Sequence, residues 1–124
     1  MSYQAYQTAA SRTEDPRSAE YRLFGQVTRA MMAAREYGPS QLSKRADALD
    51  WNRRMWTAFA ADCSSESNGL PESLRAAIIS LSIFVSRQTS EAIRDNDAVD
   101  TLVEINRTIM QGLAPQGQGE ASAA

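Results

Sequence analysis

The chain has 124 residues, 43% of them hydrophobic, and a formal net charge of −2. That length supports one modest core, and the slightly acidic balance argues against general nucleic-acid binding. With no histidine and a single cysteine, Cys63, the sequence leaves no room for an internal disulfide, a zinc cluster or histidine-based catalysis.

Residues 2–12 carry Tyr3, Tyr6 and Ala10 at helical spacing. A short N-terminal helix is expected there, and alone in water it would be marginal. Two readings stay open: it docks on the rest of the chain, or it is a mobile arm that contacts a partner. Asp15-Pro16 is a helix start, with Asp as N-cap and Pro at the first helical position. Leu23, Val27, Ala30, Met31 and Ala34 follow as one apolar stripe, widened by Phe24, until Gly38-Pro39. The spacing predicts a helix over about 16–37 with one of Met31 and Met32 in the core.

Ser40 is placed to cap a second helix, over about 41–63. Leu42, Ala46, Leu49, Trp56, Phe59, Ala60 and Cys63 share one of its faces, and Cys63 reads there as a small buried apolar residue. A polar loop, Ser64 to Gly69, ends it. The most apolar run of the chain then spans Leu74 to Val85. Taken alone, Ile78 to Val85 also fits a buried strand. The pattern continues from about residue 71 to 94, however, which is far longer than a typical strand, so a helix is expected. Leu74, Ile78, Leu81 and Val85 form its main stripe, and Ile79 and Ile83 lie off it. A helix apolar nearly all round is buried centrally, or keeps part of its surface for a partner. The run is too short to span a bilayer, and no basic-then-apolar leader opens the sequence, so no membrane insertion and a cytoplasmic location are expected.

Asp95-Asn96-Asp97 offers caps for a last helix, over about 98–112, carrying Val99, Leu102, Ile105, Ile109, Met110 and Leu113. Residues 114–124 have no large apolar side chain, and a disordered tail is expected. The sum is an all-α fold, a single domain over 1–113: a small bundle of four main helices plus the short N-terminal one. Its linkers are short, so neighbouring helices are expected to run antiparallel.

The most unusual segment is Asp50-Trp51-Asn52-Arg53-Arg54-Met55-Trp56, which holds both tryptophans. Asn52 and Arg53 fall on the apolar side of their helix, where an unpaired polar group would cost on the order of several kcal/mol. Either they pair inside the bundle as a polar layer, or the patch meets a partner, with Trp51 beside arginines as in binding hot spots. Glu104-Ile105-Asn106-Arg107 echoes the segment, and Asn106 also lies on an apolar side. A hydrogen bond between Asn52 and Asn106 is one way to satisfy both. No catalytic group, metal site or cofactor is expected. The acid pairs Asp47/Asp50 and Asp97/Asp100 have ordinary explanations in capping and solvation. Arg53, Arg54 and the tryptophans leave RNA stacking as a minority reading.

Taken in order, these motifs resemble the FlaF family of alphaproteobacterial flagellar biosynthesis proteins. The resemblance is carried by Tyr3-Gln4-Ala5-Tyr6, Thr13 through Pro16-Arg17 and Glu20, Ala48 through Trp56, Leu70 through Arg75, Ile78 through Leu81, and Glu104 through Leu113. It implies a small cytoplasmic helical protein required for flagellin production and export, acting as a flagellin chaperone or secretion factor. It also brings in FlbT, a regulator of flagellin mRNA translation, as a counterpart. A regulator of flagellin synthesis acting with FlbT or on the mRNA, and an adaptor for the flagellar export apparatus, are the alternatives. If flagellin is bound as an amphipathic helix, Ile79 and Ile83 are expected to line the groove, with Trp51 and Met55 near its rim and Arg53 and Arg54 setting orientation.

Overall fold

A computed structural model describes residues 16–114. Among them are four α-helices and no strand: α1 (Pro16–Ala34), α2 (Leu42–Cys63), α3 (Glu72–Ala92) and α4 (Asn96–Leu113). A single 3₁₀ turn, Pro39–Gln41, precedes α2. The expected N-terminal helix and the tail beyond residue 114 lie outside the described residues.

The helices form a four-membered ring. Each packs on its neighbour in the chain, and α4 closes against α1. Side chains near helix ends fix the antiparallel order. Arg45 near the start of α2 reaches Ala92 at the end of α3, and Arg75 near the start of α3 reaches Cys63 and Ser65 at the end of α2. Arg35, just past α1, pairs with Asp100 in the first turns of α4. Gly112 gives α3 and α4 close approach, because a Cβ there would lie 3.3 Å from Leu74 Cδ1.

The run Leu74 to Val85 is helical throughout, in the middle of α3. Ile78 and Val85 are fully buried, while Leu74 and Leu81 are half-buried at the edge of the core. The other large buried side chains come from all four helices and include Phe24, Met31, Leu49, Trp56, Leu102 and Leu113. Phe24 sits edge-on to both Trp56, at 5.6 Å between ring centroids, and Phe59, at 5.2 Å, a favoured aromatic arrangement. Met31 is in the core and Met32 is exposed.

The helix ends differ from the pattern-based bounds for identifiable reasons. α1 stops at Ala34, because the N–H groups of Glu36 and Tyr37 turn to the i−3 carbonyls of Ala33 and Ala34, a tightening that ends a helix. Ser40 does not cap α2: it lies inside the 3₁₀ turn, and neither Gly38 nor Gln41 supplies a side-chain cap. Leu42 is accordingly 49% exposed rather than on the core face. α3 ends at Ala92, whose carbonyl accepts two hydrogen bonds from Arg45. α4 starts at Asn96, because the Asp95 carboxylate accepts from the Asp97 N–H at 2.9 Å, an N-cap bond.

Candidate functional site

Asn52 and Asn106 are both fully buried. Asn106 Nδ2 donates to Asn52 Oδ1 at 2.9 Å and to Thr28 Oγ1 at 3.0 Å, and Asn106 Oδ1 accepts from Trp56 Nε1 at 2.8 Å. Thr28 in turn donates to the Phe24 carbonyl at 2.6 Å. One amide from α4 thereby ties together α1 and α2 in the middle of the core. The amide orientation follows from its neighbours, since the indole can only donate and the two other partners accept. Asn52 Nδ2 finds no acceptor among the described residues. An apolar residue at Asn106 would leave the Trp56 N–H and the Asn52 carbonyl in the same position, so the layer imposes one register on three helices.

The arginines of the same segment are held locally. Arg53 and Arg54 both pair with Asp50, at 2.6 and 2.8 Å. The hydrogen bond from Arg53, helped by the charge of Arg54, holds the Asp50 carboxyl below its ordinary range against a smaller effect of desolvation. Arg54 is exposed and Arg53 is half-buried. Such surface pairs contribute little to stability.

Trp51 is 38% exposed and Met55 only 6%. Met55 lines a depression between α1 and α2 with Leu23, Phe24, Ala58 and Phe59, closed at one end by Glu20 and Asp62. Trp51 precedes Met55 by one helical turn and belongs to that flank. Arg53 is turned about 200° from Trp51 around the helix axis, on the side facing α3. Ile79 and Ile83 lie on α3, 37% and 60% exposed. They follow Arg75, whose guanidinium bonds the end of α2, at i+4 and i+8. Ile79 therefore flanks α2 and Ile83 has rotated toward solvent. The six residues expected to form one groove are thus split. Trp51 and Met55 are on the α1 side of α2, and Ile79 and Ile83 are beyond its opposite side, with Met55 inside the packing rather than on a rim.

What α3 presents outward is broader than those two isoleucines. From Ala76 to Ser86 it carries no charged residue, and Ile79, Ile83 and Phe84 are its exposed large side chains. Leu81 faces α4 and forms, with Ile105, the apolar floor of an open groove of about 440 Å³ between α3 and α4. Asp100, Thr101, Glu104 and Thr108 complete its lining. Sequence spacing singled out Ile79 and Ile83 but missed this groove. Leu81 and Ile105 both match core stripes, and only packing reveals that each stops short of full burial.

Two buried or half-buried guanidiniums were missed as well. Arg45 is almost fully buried, with Nε and Nη2 donating to the Ala92 carbonyl at 3.1 and 2.7 Å and Nη1 to Asn96 Oδ1 at 2.8 Å. Arg75 donates to the carbonyls of Cys63 and Ser65 at 3.0 and 2.8 Å. Arg45 at Ala92 and Arg75 at Cys63 satisfy carbonyls that a helix end leaves without an internal partner, and each places a cation at the negative end of the neighbouring helix dipole. Their signal in the sequence was position: Arg45 precedes Leu49 by four and Asn52 by seven residues, on the buried face.

Among the described residues, no group of three or more His, Cys, Asp or Glu side chains is arranged to hold a metal ion, and no helix is long and apolar enough to cross a membrane. Cys63 is fully buried. Burial, and then the carboxylates of Glu20 and Asp62, pushes its thiol up to about 11, against a smaller opposing effect of Arg75.

No curated protein and no solved structure matches the chain significantly. The model of one protein family, described as flagellar protein FlaF, matches residues 2–113. That match runs through all four helices, the buried asparagine layer and the uncharged face of α3, and the chain therefore belongs to the FlaF family of flagellar proteins.

Proposed function

We propose that this protein is a cytoplasmic flagellin-binding chaperone or secretion factor, required for flagellin production and export. The observation that carries the reading is the outer face of α3: three turns without a charge and with Ile79, Ile83 and Phe84 exposed, in a member of a flagellar family. Soluble surfaces are ordinarily interspersed with charge, and a contiguous apolar face marks an interaction site. A helix-in-groove contact, in which an amphipathic helix lays its apolar side on such a face, meets the need of a flagellin helix that must stay covered before export. In this reading the loaded complex delivers flagellin to the flagellar export apparatus, and FlbT is a further partner on the regulatory side.

The test is a calorimetric titration of the purified protein with monomeric flagellin from the same organism, alongside a flagellin mRNA leader. The reading expects a one-to-one protein complex and no salt-dependent RNA binding. Absence of a flagellin complex together with salt-dependent binding of the leader would replace it with the regulator of flagellin synthesis.

A further inference from the structure

We propose that the groove between α3 and α4 is the seat for an amphipathic partner helix that carries basic residues along one flank. The inference rests on the flagellin reading for the identity of the partner, and on the groove itself for where and how that partner binds.

The α3 wall is apolar in a pattern suited to a helix. Leu74 contacts the position of Gly112 on α4, which fixes the flank, and Ala77, Leu81 and Phe84 follow it at spacings of three, four and three residues. This is the spacing of a knobs-into-holes seam. Leu74 and Leu81 are half-buried, Ala77 and Phe84 exposed. On α4, Thr101, Ile105 and Thr108 repeat at four and three residues along the other wall, and none is charged. The two stripes meet at Leu81 and Ile105, the floor of the open groove, along which a third helix can lie.

The rims differ in charge. The α3 rim is neutral from Ala76 to Ser86, whereas the α4 rim carries Asp100 and Glu104. Asp100 is engaged by two hydrogen bonds from Arg35, at 2.7 and 3.2 Å. Glu104 is largely exposed, and its contact with Arg107 is a longer 3.3 Å. A guest helix is therefore held by apolar contact on the α3 side and met by carboxylate on the α4 side, which selects one with lysine or arginine flanking its apolar stripe. The asymmetry also sets the guest's rotation about its own axis. Trp51, on the α1 flank of α2, takes no part.

The experiment is binding of monomeric flagellin from the same organism to the full-length protein and to Phe84→Glu, Glu104→Lys and Trp51→Ala, with thermal melts to show that each variant is folded. Wild type should bind. Phe84→Glu should weaken binding at least about tenfold, as expected for a charge placed in an apolar contact. Glu104→Lys should weaken it several-fold and flatten its salt dependence, while Trp51→Ala binds as wild type. Wild-type-like binding by both groove variants would overturn the groove and leave the flagellin reading standing. Failure of the wild type itself would end both. A dimer in light scattering that Phe84→Glu dissolves would assign the groove to a second copy. A change in the Ile105 methyl resonance on deleting residues 2–12 would assign it to the chain's own N-terminal segment. Either result overturns the proposal.

Discussion

Trp56 on α2 donates its indole N–H to Asn106 Oδ1 on α4, 2.8 Å away, across the diagonal of the bundle. Both groups are buried, and neither has water to turn to if the other is lost. The same Asn106 amide serves Asn52 and Thr28, so the bond is one arm of a shared junction.

The junction predicts unequal costs for its two asparagines. Asn106→Leu leaves the Trp56 N–H and the Asn52 carbonyl unsatisfied and should destabilise by about 2–6 kcal/mol, at about 1–3 kcal/mol per orphaned group. Asn52→Leu removes an acceptor from one Asn106 N–H, but also removes an amide nitrogen that has no partner of its own among the described residues. It should cost about 1–2 kcal/mol. Urea unfolding of both variants measures the difference.

The reciprocal arginine caps predict a second pair of effects. Arg45→Ala removes two hydrogen bonds from the Ala92 carbonyl and one from Asn96 Oδ1 and should cost about 2–3 kcal/mol, the range for hydrogen bonds to charged groups. Arg75→Ala, at a more exposed site, should cost about 1 kcal/mol. Hydrogen exchange should quicken at the end of α3 in the first variant and at the end of α2 in the second.

Much of this was legible in the sequence because helical periodicity is a property of local spacing. Leu23, Val27, Met31 and Ala34 announce α1, and Ile78 and Val85 announce the buried side of α3. Asn52 and Asn106 stood out because an amide on an apolar stripe needs a partner. Their third partner, Thr28, did not stand out, because a threonine beside Val27 satisfies itself on its own helix carbonyl as readily as it joins a network. The flanks of α2 and α3 were not legible either. Spacing places Trp51, Arg53, Ile79 and Ile83 around their own helix axes, but which helix stands on which side is decided by long-range pairs such as Arg45 with Ala92. The proposed single groove broke apart at that step.

Acid stability offers a test of the pair between α1 and α4. The hydrogen bond from Arg35 holds the Asp100 carboxyl below its ordinary value, with desolvation opposing it. A depressed folded-state pKa means that the stabilisation is complete above the ordinary carboxylate range, near pH 4, and is lost as pH falls through the depressed value. Arg35→Met should lose this component, so its melting temperature should fall less steeply below pH 4 than that of the wild type.

Cys63 should be silent toward thiol reagents while the chain is folded. Its thiol is raised from 9.0 to about 11, so little thiolate exists at pH 8, and burial blocks access. Labelling with a maleimide at pH 8 should be slow in buffer and complete in denaturant. Because the folded-state pKa is raised, the folded state should also lose stability as pH climbs from 9 toward 11.

The claim that flagellin docks on the outer side of α3 is tested most directly by methyl resonances of the isoleucines. The six are Ile78, Ile79, Ile83, Ile93, Ile105 and Ile109, and of these Ile78 and Ile109 are buried. On titration with monomeric flagellin, the Ile105 and Ile83 methyls should shift or broaden, while those of Ile78 and Ile109 stay in place. Resonances of Ile79, Ile83 and Ile105 that all remain unmoved at saturating flagellin would contradict the account.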